Sequence, residues 1–165
     1  MSKSNVYVVF GVSGCGKTTV GKLLAAEFGI KHFDADDFHP QSNVDKMSSG
    51  IPLNDQDRLP WLLNLSDKLE EWSLNGGAVL SCSALKEKYR QMLSSKADDV
   101  QWIWLEGSRE LIASRMKARK NHYFSVELLD SQIRDLEEPE YGIKISIETG
   151  PEKIINQIIK ELKNE

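Results

Sequence analysis

A glycine-rich segment that ends in a lysine and a threonine carries the clearest chemical pattern of this 165-residue chain. Residues 11–18 read GVSGCGKT, which matches the spacing G-x-x-x-x-G-K-T. The amide groups of such a loop, together with the N-terminus of a following helix, bind phosphate oxygens. Lys17 is expected to reach the terminal phosphates and the Thr18 hydroxyl to ligate Mg²⁺. The pattern predicts a nucleoside triphosphate site at Gly11, Val12, Ser13, Gly14, Cys15, Gly16, Lys17, Thr18 and Thr19.

The alternative is a glycine-rich turn that binds nothing, and the flanking sequence decides against it. An apolar, β-prone run precedes the loop at residues 6–10. After it, Val20, Leu23, Leu24 and Phe28 recur at helical spacing. A strand before the loop and a helix after it are the setting that the phosphate-binding motif requires.

Two acids, Asp34 and Asp36, follow a short predicted strand near residues 31–33. Alternate side chains of an extended chain point the same way, so both carboxylates are expected on one side. Beside a phosphate loop, one acid can organise Mg²⁺ or its waters, and the other can accept a proton from a substrate hydroxyl. Aspartate also commonly caps helices, so turn and capping chemistry is the alternative.

Three further side chains lie in polar segments that follow predicted strands. His39 stands before a proline, where a histidine is commonly a turn residue. Arg58 lies in the first turn of a predicted helix, where its charge opposes the helix dipole. Either an anionic ligand or pairing with Asp55 or Asp57 would explain that arginine. Lys86 follows the third predicted strand, where its ammonium group either reaches a ligand or is solvated.

A basic cluster lies between two predicted helices and includes Arg115, Lys117, Arg119, Lys120 and His122. One interpretation is a solvated basic face. The other, which we favour, is a mobile lid whose arginines close over the triphosphate and stabilise charge during transfer. Arg115 and Arg119 are four residues apart, so they share a helical face if the helix continues.

The elements that must position these residues alternate between strands and helices. Strands are expected at about 6–10, 31–33, 78–82, 100–105 and 143–147, with helices between them. The strands are continuously apolar, which is typical of a parallel sheet covered on both faces. The fold class is therefore α/β, doubly wound, as a single domain over residues 1–165. Ligands of such sheets bind beyond the carboxyl ends of the strands, where the polar residues above lie.

The longest predicted helix carries Trp61, Leu62, Leu65, Leu69 and Trp72 on one face. Asp57 is expected as its cap, and Pro60 is expected in its first turn, where N–H groups lack helical partners. Other helices are expected at about 41–48, 86–94, 109–118 and 125–137. A closing helix is expected to begin at Pro151 with Ile154, Ile155, Ile158, Ile159 and Leu162 inward.

Composition excludes several classes of protein. The net charge of -4 argues against a general nucleic-acid binder. No apolar run reaches membrane-spanning length, and residues 1–5 are too short and polar for a signal peptide. Cys15 and Cys82 are not expected to form a disulfide, and a thiol in the phosphate loop suits a reducing compartment. We therefore expect a cytoplasmic protein without membrane or nucleic-acid partners.

The chain resembles the gluconokinase family over about residues 6–162. The resemblance rests on the block DADDFHP at residues 34–40, which is more specific than the phosphate loop. It extends to PLND at 52–55, DR at 57–58, PWL at 60–62, CSALK at 82–86 and YR at 89–90. It also includes Asn43, Lys46, Met47, Gly50, Ser114, Arg115, Lys117, Ala118, Arg119, Lys120, His122, Phe124, Leu128, Leu129, Gln132, Leu136 and Glu137. Position 123 is Tyr where Phe is more usual in the family.

The resemblance implies a P-loop kinase fold with strand order 2-3-1-4-5, a lid at about 119–137 and a homodimer. It implies ATP-dependent phosphorylation of D-gluconate at its 6-hydroxyl, with Mg²⁺. Thr18 and Asp34 would hold the metal, Asp34 through water. Asp36 would be the base or orienting acceptor, and Lys17 and Arg119 would complete the catalytic set. The implied gluconate-binding residues are Asp36, His39, Arg58, Lys86, Arg119 and His122, and Arg115 would stack on adenine.

Four other functions compete with this one. A GTPase switch would need the guanine motif N-K-x-D, which the chain lacks, and an ATPase would need an acid after the third strand, which ends in Ser81-Cys82. Glu106 follows the fourth strand instead and is interpreted as a surface or lid-supporting residue. A non-enzymatic ATP-binding regulator needs no acceptor pocket of acids and cations. A kinase of another small polyhydroxy acid, such as shikimate, is the remaining alternative.

Overall fold

Five parallel strands form the centre of the protein. The structure, a computed structural model, describes residues 5–118 and 126–164. The strands are β1 (Val6–Phe10), β2 (Lys31–Asp34), β3 (Ala78–Cys82), β4 (Gln101–Glu106) and β5 (Ile143–Ser146). Their order in the sheet is β2-β3-β1-β4-β5, and every neighbouring pair is parallel. The predicted fold class and strand order are confirmed.

The register brings the carboxyl ends of the central strands to one edge. Phe10, at the end of β1, is paired with Cys82 of β3 on one side and with Trp104 of β4 on the other. Asp34, the last residue of β2, is paired with Ser81 of β3. The phosphate loop and the acidic segment after β2 therefore leave the sheet at the same edge.

Seven α-helices connect the strands in the described part of the chain. They are α1 (Lys17–Phe28), α2 (Gln41–Ser48), α3 (Asp55–Leu74), α4 (Glu87–Leu93), α5 (Arg109–Ala118), α6 (Val126–Asp135) and α7 (Pro151–Lys163). A short 3-10 helix, Ala35–Phe38, follows β2 directly. The predicted helices are present, with ends displaced by no more than two residues except at the start of α3.

The start of α3 corrects two predictions. Asn54, not Asp57, caps this helix, because its side chain accepts a hydrogen bond from the Asp57 amide at 2.8 Å. The Asp57 carboxylate in turn accepts from the Asn54 amide at 3.0 Å, which completes a capping box. Since the helix begins at Asp55, Pro60 lies in its second turn rather than its first.

Apolar side chains form a core on each face of the sheet. Alternate residues of β1 point to opposite faces, so Val9 packs with α1, α5 and α7, and Val8 packs with α3 and α4. The predicted apolar face of α3 is fully buried, and Ile154, Ile155 and Ile158 of α7 are buried as predicted. Helices on both faces leave only the edges of the sheet open to ligands.

Cys15 and Cys82 are both free thiols, in agreement with the prediction that they do not form a disulfide, and both are buried. Among the described residues, no helix combines the length and the apolar character that crossing a bilayer requires.

Candidate active site

The glycine-rich loop at residues 11–16 joins β1 to α1. Gly16 has a φ of 97°, in the left-handed region that favours glycine. Apart from the adjoining residues, no atom of the described part of the chain lies within 4 Å of the position that a Cβ would take there. At Gly11 a Cβ would lie 2.9 Å from the carbonyl oxygen of Leu105, so the loop packs tightly against the end of β4. The loop therefore packs against β4 at Gly11, whereas the space beside Gly16 is open.

Lys17 is held within the loop. Its Nζ donates to the carbonyl oxygen of Val12 at 3.0 Å. Ser81, at the end of β3, donates its hydroxyl to the carbonyl oxygen of Lys17 at 2.9 Å and so fixes the first turn of α1. The ammonium group therefore has a backbone partner and is free to exchange it for a phosphate.

Gln132 of α6 contacts the loop, and sequence reasoning assigned it no role. Its Oε1 accepts a hydrogen bond from the amide of Ser13 at 2.6 Å. The backbone amide of Ser13, which was predicted to bind nucleotide, is therefore hydrogen-bonded to a carboxamide oxygen. No sequence pattern links residues separated by 119 positions, so only the fold reveals this contact.

Thr18 and Asp34 meet at the metal position that the resemblance implies. The Thr18 hydroxyl donates to Asp34 Oδ2 at 3.0 Å, and Asp34 Oδ1 accepts from the Asp36 amide at 3.0 Å. Asp34 is thus also the cap of the 3-10 helix, as the capping alternative proposed. The expectation of an extended D-x-D is wrong, because the chain turns into that helix immediately after Asp34.

Both oxygen donors suit Mg²⁺, which prefers hard ligands and keeps several waters. In residues 5–118 and 126–164, no cluster of three or more histidine, cysteine or acidic side chains could hold a metal by itself. A metal at this position would therefore depend on one or two protein oxygens and on the phosphates of a nucleotide.

Asp36 faces the cleft, with 72% of its side chain exposed. Desolvation by the surrounding protein raises the pKa of its carboxyl group, and the negative charge of Asp34 raises it further, while Lys17 opposes the shift. Asp36 therefore lies within electrostatic reach of both the phosphate loop and the metal position.

His39 forms the wall next to Asp36. Its side chain is only 4% exposed, and its Nε2 lies 3.9 Å from Asp36 Oδ1. The ring stacks on Trp61 with the centroids 4.2 Å apart, and the Trp61 indole donates to the carbonyl oxygen of Ala35 at 2.7 Å. Burial, followed by the charge of Arg58, lowers the pKa of His39 to about 4. The imidazole is therefore neutral at pH 7.

Arg58 and Lys86 form the cationic side of the cleft around Tyr89. Arg58 Nη1 donates to the Tyr89 hydroxyl at 3.1 Å, and Lys86 Nζ lies 5.8 Å from the centre of the same ring. Tyr89 donates in turn to Asp55 at 2.5 Å, while Asp57 pairs with Lys46. Within the described ranges Arg58 forms no ion pair, so the alternative that it pairs with Asp55 or Asp57 is wrong.

Arg90, to which the resemblance assigned no role, connects several backbone segments on this side of the site. Its side chain is buried, 1% exposed, and its guanidinium lies 5.1 Å from the centre of the Phe10 ring. It donates to the carbonyl oxygens of Ala84 and Leu85 at 2.7 and 3.1 Å and to that of Glu137 at 2.7 Å. These bonds fix the segment that carries Lys86.

Arg115 lies at the end of α5, near the phosphate loop. It donates to the carbonyl oxygen of Ile147 at 2.7 Å, and its charge acts on the buried thiol of Cys15. Arg119 and His122 lie outside the described residues. Glu106 lies 3.9 Å from Lys144 in an exposed pair, in agreement with its interpretation as a surface residue.

Comparison with known proteins gives one consistent result. The sequence profile of the shikimate kinase family matches residues 13–163. The chain is 41% identical to a probable gluconokinase from Dictyostelium discoideum, over 96% of this chain and 86% of that protein. It is 44% identical to the thermosensitive gluconokinase of Escherichia coli K12, over 81% of this chain and 72% of that protein.

Solved structures agree with the sequence relatives. A gluconokinase from Sinorhizobium meliloti 1021 superimposes with a TM-score of 0.90 at 34% identity, covering 99% of this chain and 94% of that one. Shikimate kinase from Aquifex aeolicus reaches a TM-score of 0.63 at 18% identity, which shows a shared fold alone.

Proposed function

The chain belongs to the gluconokinase family of P-loop kinases, and from that premise we propose how its site works. It is a kinase that uses ATP to phosphorylate D-gluconate at the 6-hydroxyl, giving 6-phospho-D-gluconate and ADP. The observation that carries this conclusion is the identity of about 40% to gluconokinases over nearly the whole chain. Shikimate kinases are more distant relatives of the same fold.

The geometry suits an anionic polyol as the acceptor. One wall of the cleft carries a carboxylate and a neutral imidazole, which can bind hydroxyl groups. Arg58 and Lys86, which both lie within 6 Å of the centre of the Tyr89 ring, can bind a carboxylate. Two cations also suit a substrate that gains further negative charge when it becomes product.

We propose the following roles for the residues of the site. The loop amides and Lys17 bind the β- and γ-phosphates, and Arg115 stacks on adenine. Asp36 accepts a hydrogen bond or the proton from the 6-hydroxyl, while His39 binds a neighbouring hydroxyl. Arg58 or Lys86 pairs with the carboxylate of gluconate. Arg119 and His122 would close from the lid, at about 119–137.

Mg²⁺ is the metal proposed for Thr18 and Asp34, because both present oxygen donors beside the loop. When bound with ATP, the metal would neutralise charge on the phosphates. The residues of this chain would orient it and keep the acceptor hydroxyl next to the loop.

The acceptor is tested by measuring ADP release with gluconate, shikimate and nucleoside monophosphates in separate assays. We expect the highest kcat/KM with gluconate, by at least about 100-fold, because shikimate lacks the flexible polyol chain. A preference for shikimate would favour the alternative polyhydroxy-acid kinase, which the shikimate kinase profile supports. ADP release that needs no acceptor would indicate an ATPase.

We further propose a homodimer, a single domain over residues 1–165 and a cytoplasmic location. The proposal of a dimer rests on the resemblance alone, and the molar mass measured by light scattering on the purified protein would test it. The location rests on the free thiol in the phosphate loop, which suits a reducing compartment.

A further inference from the structure

Asn43 of α2 is a buried polar residue to which the proposed mechanism assigns no catalytic role. It is 2% exposed, and it lies between His39 and the first turn of α3. A buried amide retains its place only when its hydrogen bonds are satisfied. The partners of this one determine which nitrogen of His39 carries the proton.

Asn43 Nδ2 contacts two atoms. It donates to the carbonyl oxygen of Asp57 at 2.8 Å and lies 3.1 Å from His39 Nδ1. A carbonyl oxygen only accepts hydrogen bonds, so it requires the NH₂ group, not the amide oxygen, on this side of Asn43. The second N–H then points to His39 Nδ1, which must accept it.

A neutral imidazole carries one proton, so an accepting Nδ1 leaves that proton on Nε2. Nε2 is the nitrogen on the side of Asp36, 3.9 Å from Asp36 Oδ1. Stacking on Trp61 holds the plane of the ring and so the direction of this N–H bond. Asp36, 3.9 Å from Nε2, and Arg58, whose charge helps to lower the pKa of His39, are the charged groups that act on the ring.

We propose that Asn43 is a positioning residue that locks His39 as an Nε2–H hydrogen-bond donor to the acceptor substrate. His39 then cannot take a proton from the substrate, which leaves Asp36 as the one acceptor of that pair. A hydroxyl oxygen that receives the His39 hydrogen bond is oriented with its own proton free for Asp36. The identity of the substrate rests on the proposed function, whereas the position of the proton on His39 does not.

The proton is located by two-bond ¹H–¹⁵N correlation spectra of uniformly labelled protein at pH 7, with His39→Gln used to assign the signals. We expect Nδ1 to appear unprotonated and Nε2 protonated in the wild type. A proton on Nδ1 would overturn the proposal without any variant.

Asn43→Ala removes the donor, and circular dichroism would verify its fold. We expect a mixture of tautomers, a gluconate KM raised about three- to tenfold through loss of one oriented hydrogen bond, and an unchanged ATP KM. Ser42→Ala, on the exposed side of the same helix, is the matched control and should leave all three unchanged. An unaltered tautomer and unaltered gluconate KM in Asn43→Ala would also overturn the proposal.

Asn43→Asp gives a second test, because a carboxylate can only accept and therefore favours the proton on Nδ1. We expect the His39 spectrum to change to the Nδ1–H or doubly protonated pattern. If this variant unfolds, the wild-type spectrum and Asn43→Ala still decide. Failure of gluconate as a substrate would overturn the proposed function, and the spectra would still decide the tautomer.

Discussion

Lys17 is expected to bind the phosphates of the nucleotide rather than a residue of the protein core. Its ammonium group contacts only a backbone oxygen of its own loop among the described residues. We therefore expect Lys17→Ala to lower kcat by about 100-fold or more, as for other groups that stabilise developing charge. The thermal unfolding midpoint should stay near that of the wild type.

Steady-state kinetics and calorimetry of the variant would check this expectation. Lys22→Ala, at an exposed position of the same helix, is the control. Near-normal turnover of Lys17→Ala would remove this lysine from the mechanism.

Arg58 is a cation without a carboxylate partner among the described residues, although Asp55 and Asp57 closely precede it in sequence. We expect Arg58→Ala to raise the gluconate KM about 10- to 100-fold, through loss of a charged hydrogen bond, and to leave the ATP KM unchanged. Lys68→Ala is the matched control, since this lysine is on the same helix and pairs only with Glu71. An unchanged gluconate KM with a lowered melting temperature would show that Arg58 only supports Tyr89.

Asp36 and Asp34 can be separated by kinetics. We expect Asp36→Asn to lower kcat strongly with little change in gluconate KM, because an amide oxygen accepts a hydrogen bond but not a proton. We expect the loss of activity in Asp34→Asn to grow as the Mg²⁺ concentration is lowered, because the proposed partner of this carboxylate is the water shell of the metal.

Kinetics of both variants over a Mg²⁺ titration would test these two expectations. A defect of Asp36→Asn that appears mainly in KM would assign it a positioning role, as loose phosphoryl transfer allows. Wild-type values for both constants would leave the two acids as turn residues alone.

At the scale of elements, helix α6 is coupled to the phosphate loop through Gln132 and the amide of Ser13. A negative charge at this position would repel the triphosphate from the loop. We expect Gln132→Glu to raise the ATP KM about tenfold, with a smaller effect on the gluconate KM. Gln132→Met, which keeps the size without the charge, separates repulsion from the loss of the contact.

Initial rates at varied ATP concentration, measured at low and high salt, would test this repulsion. The Gln132→Glu defect should shrink as salt screens the charge. Equal defects in the Glu and Met variants would show that the hydrogen bond, not the charge, sets ATP affinity.

At the scale of the whole molecule, His39 links stability to pH. Its pKa is about 4 in the folded protein, below the ordinary value of about 6.5. Between these values the unfolded chain binds a proton that the folded protein does not, so stability falls as pH decreases from 6.5 to 4. We expect this residue to contribute about 3 kcal/mol of that loss.

Urea denaturation of the wild type and of His39→Gln at several pH values would measure this contribution. The variant should show a shallower dependence of unfolding free energy over the same window, because the carboxylates that also titrate there are common to both. Parallel profiles for the two proteins would contradict the buried, neutral state of His39.

Sequence patterns were enough to predict the phosphate loop, the parallel sheet and the polar residues that follow the strands. These features are local: a glycine pattern, an apolar run and a helical spacing each involve neighbours within a few turns of chain. The burial of Trp61, Leu65 and Leu69 on one face of α3 followed from their spacing for the same reason. The resemblance to gluconokinases then indicated D-gluconate as the acceptor substrate.

The hydrogen-bond partners of these residues, in contrast, depend on the packed fold. Capping by Asn54 instead of Asp57, the turn after Asp34 and the bond from Arg58 to Tyr89 each depend on competition between several nearby acceptors. The contacts of Gln132 and Arg90 join segments that are far apart in the chain. The contact of Asn43 fixes the position of the proton on His39, which no pattern of residue types can predict. Hydrogen bonds depend on distance and direction at the scale of a few tenths of an ångström, and the packed fold alone sets these.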